Sequence, residues 1–347
     1  MRILVLNPGS TSLKLAIYED DVQTHKENIR FAPDKIEALR DPEFRLSHCV
    51  ELLEAYLADH GLRADDFDCA VSRGGLLGSV KTGAYRVNER MLDYILSSST
   101  RVHSVGVPIA YNLMQPLGKP AYIYDAVTAD EWDPITKISG LKGYSKPVTQ
   151  HTLNCRRILF ELSKQLVKPI NEINAIMAHL GGGVDVAFFR NGRNVESLGF
   201  NDLGFATDRC GAIRYLDAIE MAQCTPLYDL IELNRGQGGL VHHFGTASVE
   251  DVETLIDAGD EYAALVLEAM AYRVAQCIGA GAATLNGNVD VIVLTGGIAY
   301  SKRFTDWIIS RVNFLAPIQI IPGEMEIEAL AQGALRVMRG LEEAHEY

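Results

Sequence analysis

The chain has 347 residues, 48% of them hydrophobic and 22% charged, which is enough for roughly two ordinary globular domains. Its formal charge of −13 excludes the basic stripe of a nucleic-acid-binding surface, so any anionic ligand must meet a local positive site. Six cysteines (Cys49, Cys69, Cys155, Cys210, Cys224 and Cys277) lie far apart without a CxxC pair, which argues against a zinc site or a disulfide framework. No apolar stretch suits a signal-peptide core or a membrane span, so a cytoplasmic protein with reduced thiols and no membrane partner is expected.

The apolar run 3–6 leads into Asn7-Pro8-Gly9-Ser10-Thr11-Ser12-Leu13-Lys14, and a second apolar run, 15–18, follows. This predicts a hairpin with a tip of small, polar and glycine residues. Gly9 permits positive φ and close backbone approach, the hydroxyls and amides are donors, and Lys14 adds a point charge, a combination that suits a polyanion. The same composition also occurs in turns that bind nothing. Because no helix pattern follows, it is neither a Walker A loop nor a dinucleotide fingerprint. Residues 34–46 and 47–57 read as helical, with Val50, Leu53 and Leu57 on one face and Gly61 as a stop. Residues 67–72 form a short strand ending in Arg73-Gly74-Gly75, where open α/β sheets bind ligands; Arg73 is either a ligand contact or a solvated loop charge. Helices follow at 88–97 and 103–113. The strand 120–124 then delivers Asp125 into a loop with Asp130 and Glu131, a position that suits magnesium and equally a solvated acidic loop. Residues 134–147 form a connection, and His151 opens a helix reaching about residue 166.

The second half repeats the first. A strand (173–179), the turn Gly181-Gly182-Gly183, a strand (184–189) and the turn Asn191-Gly192 mirror the N-terminal hairpin, and the strand 289–294 ends in Thr295-Gly296-Gly297 as 67–72 ends in its glycine pair. The repeat predicts two similar α/β domains facing each other across a cleft. We expect residues 1–150 with the C-terminal helix, about 327–347, to form one domain and 151–326 the other. The insertion 199–246, without clean periodicity, carries Asp208-Arg209-Cys210-Gly211 and Arg235-Gly236-Gln237-Gly238-Gly239 and reads as functional or flexible. Residues 261–285 predict a long apolar helix, buried between domains or at a subunit contact. A strand (318–321), a turn (322–325) and a final helix complete the chain.

Taken together, the strings NPGSTSLK (7–14), RGGLL (73–77), GAYRVNERML (83–92), HTLN (151–154), HLGGG (179–183), LTGGIAYS (294–301) and PGEMEIEALAQGALRVMRG (322–340), with the Asp125 loop, resemble the acetate and butyrate kinase family over nearly the whole chain, the butyrate kinases more closely. The resemblance implies an α/β, duplicated actin-like (ribonuclease H-like) two-domain kinase fold with an interdomain cleft. It implies reversible transfer of the ATP γ-phosphoryl group to a short-chain carboxylic acid, straight or branched, giving ADP and an acyl phosphate, with Mg2+ as cofactor and a homodimer or higher homo-oligomer as the working form. Such transfer needs positioning and charge neutralisation more than covalent chemistry. By resemblance, Asn7, Gly9, Ser10, Ser12 and Lys14 line the phosphate side, His179 and Gly181, Gly182 and Gly183 face the nucleotide phosphates, and Thr295, Gly296, Gly297 and Ile298 border the nucleoside. Asp125 and one of Glu324 and Glu326 match the magnesium-associated carboxylates. His151 matches a histidine that steadies the transferring group, Arg209 the arginine that holds the acid, and Arg73 lies near another substrate arginine.

Two departures stand out. Butyrate kinases usually carry Gly-Pro-Phe-Ser-Pro-Glu-Arg-Ser-Gly where this chain has Gly204-Phe205-Ala206-Thr207-Asp208-Arg209-Cys210-Gly211, and Asp185 replaces the usual serine two residues past the glycine turn. A carboxylate there should repel phosphates unless a cation compensates. A nucleotide-binding regulatory or interaction module of the same fold, with weak or lost catalysis, is the alternative.

Overall fold

Ile3 and Val5 of the first strand point to one face of a sheet and Leu4 and Leu6 to the other, and all four are buried. Burial on both faces marks a central strand in a covered sheet. The computed structural model describes every residue except Ser10, Thr11, Ser99, Thr100 and Arg235. In chain order its elements are β1 (Arg2–Pro8), β2 (Ser12–Glu19), β3 (Val22–Arg30), α1 (Pro42–Asp59), β4 (Cys69–Arg73), β5 (Ala84–Arg86), α2 (Glu89–Ser97), α3 (Gly106–Met114), β6 (Ala121–Tyr124) and α4 (Thr152–Gln165). There follow β7 (Ala175–Leu180), β8 (Val184–Arg190), β9 (Arg193–Gly199), α5 (Tyr215–Cys224), α6 (Leu227–Leu233), α7 (Gly239–Phe244), α8 (Val249–Asp257), α9 (Glu261–Thr284), β10 (Val291–Gly296), α10 (Lys302–Val312), β11 (Ile318–Pro322) and α11 (Glu326–Met338).

The chain divides into two compact units, one formed by Met1–Asp130, Thr152–Ile158 and Met325–Tyr347, the other by Glu131–His151 and Leu159–Glu324. In the first, the sheet order is β3-β2-β1-β4-β6-β5, with β1, β2 and β3 successively antiparallel and β1, β4 and β6 parallel. One face packs Leu4, Leu6, Leu13 and Leu15 against residues of α1, α2 and α3 such as Leu53, Met91 and Ile109. The other packs Ile3, Val5 and Val71 against Leu330, Ala331 and Ala334 of α11. Asp41 and Asn88 cap α1 and α2 through their side chains, which satisfies amides that the first helical turn leaves open.

In the second unit the order β11-β10-β7-β8-β9 repeats the directions of β6-β4-β1-β2-β3, two antiparallel hairpin pairings and two parallel neighbours, whereas β5, antiparallel to β6, belongs to the first sheet alone among the described residues. The internal repeat therefore exists as repeated topology. The core of this unit lies between the sheet residues Ile176, Ala178, Val186 and Phe188 and the buried stripe of α9, which includes Leu267, Met270, Val274 and Ile278. Helix α9 has 24 residues and the apolarity of a membrane span, but half of its most apolar stretch is buried, so its composition is that of a core helix.

Several elements differ from the sequence expectation. Residues 34–46 do not form one helix; α1 starts only at Pro42, after the Asp41 cap. The strand β3 was not foreseen, because Val22–Arg30 is almost wholly exposed and polar and lacks apolar alternation, as suits a guarded edge strand. Among its described residues the insertion contains the short helices α5, α6 and α7.

The approach of α11 to the first sheet sets a test. A Cβ on Gly333 would lie 2.4 Å from the buried Tyr124 ring, so the helix sits this close only because glycine has no side chain. Gly333→Ala is expected to destabilise the first unit by about 1–3 kcal/mol, despite the better helix propensity of alanine. Urea unfolding checks this, and an unchanged or higher midpoint would contradict it.

Candidate active site

In the first unit, the candidate residues gather where β1 ends and β2 begins. Asn7 and Lys14 are cross-strand partners, so their side chains leave the same face of the hairpin. The Gly9 amide donates to Ser12 O at 2.8 Å, and the buried Arg45 of α1 donates to Gly9 O, which pins the tip. Gly9 does not adopt the positive φ that its residue type allows, and the expected contact Ser10 lies outside the described residues. Asn7 is 2% exposed, and its Nδ2 donates to Glu326 Oε2 at 2.7 Å. Its Oδ1 has no partner among the described residues, an open acceptor at a strand end. Arg73 Nη1 lies 3.9 Å from the same Glu326 oxygen. The buried Asn154 of α4 accepts from Met325 N at 2.9 Å and so fixes the start of α11 and the placement of Glu326.

Asp125 follows β6 with φ of 44°, a left-handed conformation unusual for a non-glycine residue and often retained at functional sites. A reciprocal clamp holds it: Gly83 N donates to Asp125 Oδ1 at 2.8 Å and Asp125 N to Gly83 O at 3.0 Å. Arg156 Nε lies 3.0 Å from Asp125 Oδ2. Burial pushes the Asp125 carboxyl above its usual range, while the Arg156 charge and the Gly83 amide pull it back.

In the second unit, β7 ends at the glycine turn, with Gly181 N donating to Gly183 O at 3.1 Å. His179 is 1% exposed, and its ring stacks on that of His151 at 3.7 Å and 12°. His151 Nδ1 bonds Asp185 Oδ1, and Asp185 stands opposite His179 in the β7–β8 ladder. Glu324 Oε1 lies 3.9 Å from His179 Nε2. Gly296 has φ of 91°, and a Cβ there would be 2.3 Å from Leu180 O, so only glycine lets β10 turn against β7. The Gly296 and Gly323 backbones bond each other reciprocally, and the fully buried Thr295 adds an Oγ1 donor to Gly323 O at 3.1 Å. Thr295 thus braces the contact between Gly296 and Gly323, whereas Gly297 and Ile298 line a cavity.

That cavity has a volume of about 680 Å3 and is lined by Gly181, Gly182, Gly297 and Ile298 along one side and by Ser248, Glu250 and Glu253 at the start of α8. A Cβ on Gly182 or Gly297 would meet nothing within 4 Å, so bare backbone faces open space. Size and glycine walls fit a nucleotide, whose phosphates need close approach to backbone amides. Arg209 lies in the insertion that the sequence left as functional or flexible. Backbone bonds from Cys210 N to Leu233 O, Gly238 N to Asp208 O and Val241 N to Thr207 O sew its loop to the 233–241 segment. Its guanidinium lies 5.2 Å from the Phe200 ring centre, and its Nε bonds Asp208 Oδ1.

No group of three acidic, histidine or cysteine side chains forms a ready metal cage among the described residues. Magnesium does not require one, since it keeps several waters and takes one or two carboxylates with substrate phosphates. Asp125 is buried and clamped, Glu326 is buried against Asn7 and Arg73, and Glu324 has a third of its side chain exposed. Sequence reading missed Arg45 and Arg156; the only signal for either was an arginine inside an otherwise apolar helical pattern, for Arg156 in Cys155-Arg156-Arg157-Ile158.

The acetokinase family pattern matches residues 114–317. The chain is 38% identical over 98% of its length to a probable butyrate kinase 2 from Caldanaerobacter subterraneus subsp. tengcongensis, 98% of which is covered. Its fold superposes on a propionate kinase from Francisella tularensis subsp. tularensis SCHU S4 with a TM-score of 0.77 at 18% identity, over 95% of this chain and 98% of that one. The acetate kinase from Entamoeba histolytica gives 0.78 at 16% identity, over 98% and 100%. At such identities these two structures speak for the fold, which is the duplicated actin-like one expected.

The Asp125–Arg156 pair generates a test with a defined sign. A carboxyl whose folded pKa is raised favours folding at low pH and opposes it as pH rises through that pKa, and Arg156 offsets this load. Arg156→Met removes the offset and should cost on the order of 3–5 kcal/mol at neutral pH, a cost that shrinks as pH falls and the carboxyl takes up a proton. Urea unfolding at successive pH values checks it; a deficit that does not change with pH would contradict the assignment.

Proposed function

We propose that this chain, which belongs to the acetokinase family, is a butyrate kinase-like phosphotransferase that carries the γ-phosphoryl group of ATP to butyrate or a short acid of similar length, straight or branched, reversibly. The observation that carries the acid's identity is the full-length likeness to a probable butyrate kinase. The cavity bounded by Gly181, Gly182, Gly297 and Ile298 supports a nucleotide on the second unit. A carboxylate oxygen attacks the γ-phosphorus while the bond to the bridging oxygen of ADP breaks, so the protein's task is to hold reactants in line and to neutralise charge.

In this reading the glycine turn presents backbone amides to the phosphates and the His151 ring steadies the transferring group. Asn7 and Lys14 offer a donor and a charge from one face of the hairpin. Glu326 keeps Asn7 and Arg73 oriented, and Asp125 with Arg156 fixes the loop after β6. Glu324, the more exposed of the two candidate glutamates, is the one we assign to magnesium, which when bound supplies charge neutralisation at the phosphates. Arg209, stiffened by Asp208 and Phe200, is the group for the acid's carboxylate. A homodimer or higher homo-oligomer in the cytoplasm belongs to the same reading.

Trapping the acyl phosphate as its hydroxamate across acetate, propionate, butyrate, isobutyrate and valerate tests the proposal. Each added buried methylene contributes about 0.8 kcal/mol, so butyrate is expected to exceed acetate by roughly tenfold in kcat/KM. A higher value for acetate would sink the acid assignment, and tight nucleotide binding without product from any acid would favour the non-catalytic module.

For Arg209, the guanidinium has to meet two anions whose shared charge grows in the transition state, a task that a lysine performs at one point only. Arg209→Lys should lower kcat on the order of 100-fold with little change in nucleotide affinity. Near-normal kcat in the folded variant would remove Arg209 from the mechanism.

A further inference from the structure

Asp185 stands two residues past the glycine turn, where the family resemblance leads to serine. We propose that Asp185 is a positioning residue that holds the His151 ring by Nδ1 and so presents its Nε2 edge at the Gly181–Gly183 turn. The inference rests on the carboxylate-kinase reading for what His151 acts upon, and on geometry for the rest.

The geometry has three parts. Asp185 is 5% exposed, its Oδ1 accepts a hydrogen bond from His151 Nδ1, and the His151 backbone amide also donates to this carboxylate. A proton committed to Nδ1 leaves Nε2 to the opposite edge of the ring, and a carboxylate as acceptor-only partner settles which nitrogen carries it. That opposite edge abuts the turn: a Cβ on Gly183 would lie 3.4 Å from His151 Cε1 and 3.8 Å from Nε2. The stacked His179 ring fixes the plane. Ser197 Oγ, 3.5 Å away, is a weaker companion to the second carboxylate oxygen.

Electrostatics agree with this arrangement. Burial alone would raise the Asp185 carboxyl, but His151 foremost and then His179 hold it below the usual carboxylate range. It therefore stays an ionised acceptor whose charge is spent on an imidazole and not on the phosphates, which answers the repulsion that the sequence suggested. A serine hydroxyl could not do the same, since it rotates, donates or accepts, and fixes neither tautomer nor charge.

The test joins kinetics to the side-chain 15N spectrum of His151, assigned by comparison with His151→Ala. In the wild type Nδ1 is expected to be protonated. Asp185→Ser should lose that single state and drop kcat about tenfold, with the KM for ATP held within roughly twofold. On the His151→Ala background the same substitution should cost nothing further, because Asp185 acts through that ring. Asp185→Asn, nearly isosteric and still able to accept from Nδ1, should keep the tautomer and retain more of kcat than serine, and it decides the matter if the serine variant does not fold. Any of the following would overturn the proposal: undiminished kcat in Asp185→Ser, a lower KM for ATP with an unchanged His151 spectrum, or a further loss on the His151→Ala background. The spectrum needs no turnover, so an enzyme that makes no acyl phosphate refutes the kinase reading alone, and a mixed tautomer in the wild type refutes this one.

Discussion

Local neutralisation of buried carboxylates is the constraint on which the candidate site depends. The chain carries a formal charge of −13, yet the reaction proposed for it brings an acid anion to a polyphosphate. Asp125 is met by Arg156, Asp185 by His151 with His179, and Glu326 by Asn7 and Arg73. An unpaired carboxylate at any of these buried positions would carry a penalty of several kcal/mol. Each pairing also orients a basic or amide side chain, so the contact that stabilises the fold also sets the geometry of the candidate residues. The cost is rigidity of sequence: neither partner can change alone.

The repeated topology explains where these pairs sit. In each unit a hairpin turn and the end of a parallel strand bring small residues to one edge of the sheet, and the candidate residues lie at those strand ends: Asn7 and Arg73 in the first unit, His179 and Gly296 in the second. Backbone amides at such ends are unsatisfied by the ladder and available to an anion. Helices at the same edges are anchored by polar side chains, as Asn154 anchors the start of α11. The glycines matter chiefly where backbones touch, as Gly296 does against Leu180, while the freedom of Gly9 to adopt positive φ goes unused.

Much of this was legible in the chain because periodicity and small-residue turns are local signals. Both hairpins, the long α9 helix and the repeat could be read from alternation and glycine placement, and full-length strings carried the family. The exposed edge strand β3 was not legible, since without a buried face it leaves no alternating pattern. Nor were the partners of the charged residues, because Arg156 meets Asp125 only through a fold that joins positions far apart in sequence. Asp185 is the instructive case: the sequence flagged its charge as a conflict with phosphate, and only three-dimensional placement beside His151 resolves it.

The central claim, direct phosphoryl transfer to a carboxylate, is tested most directly by following oxygen. Incubation of the enzyme with ATP, magnesium and butyrate labelled with 18O in its carboxyl group, read by 31P spectroscopy and mass, should give an acyl phosphate with one label bridging carbon and phosphorus and unlabelled ADP. Formation of AMP and pyrophosphate, or absence of any labelled acyl phosphate from an enzyme that binds ATP, would contradict the account.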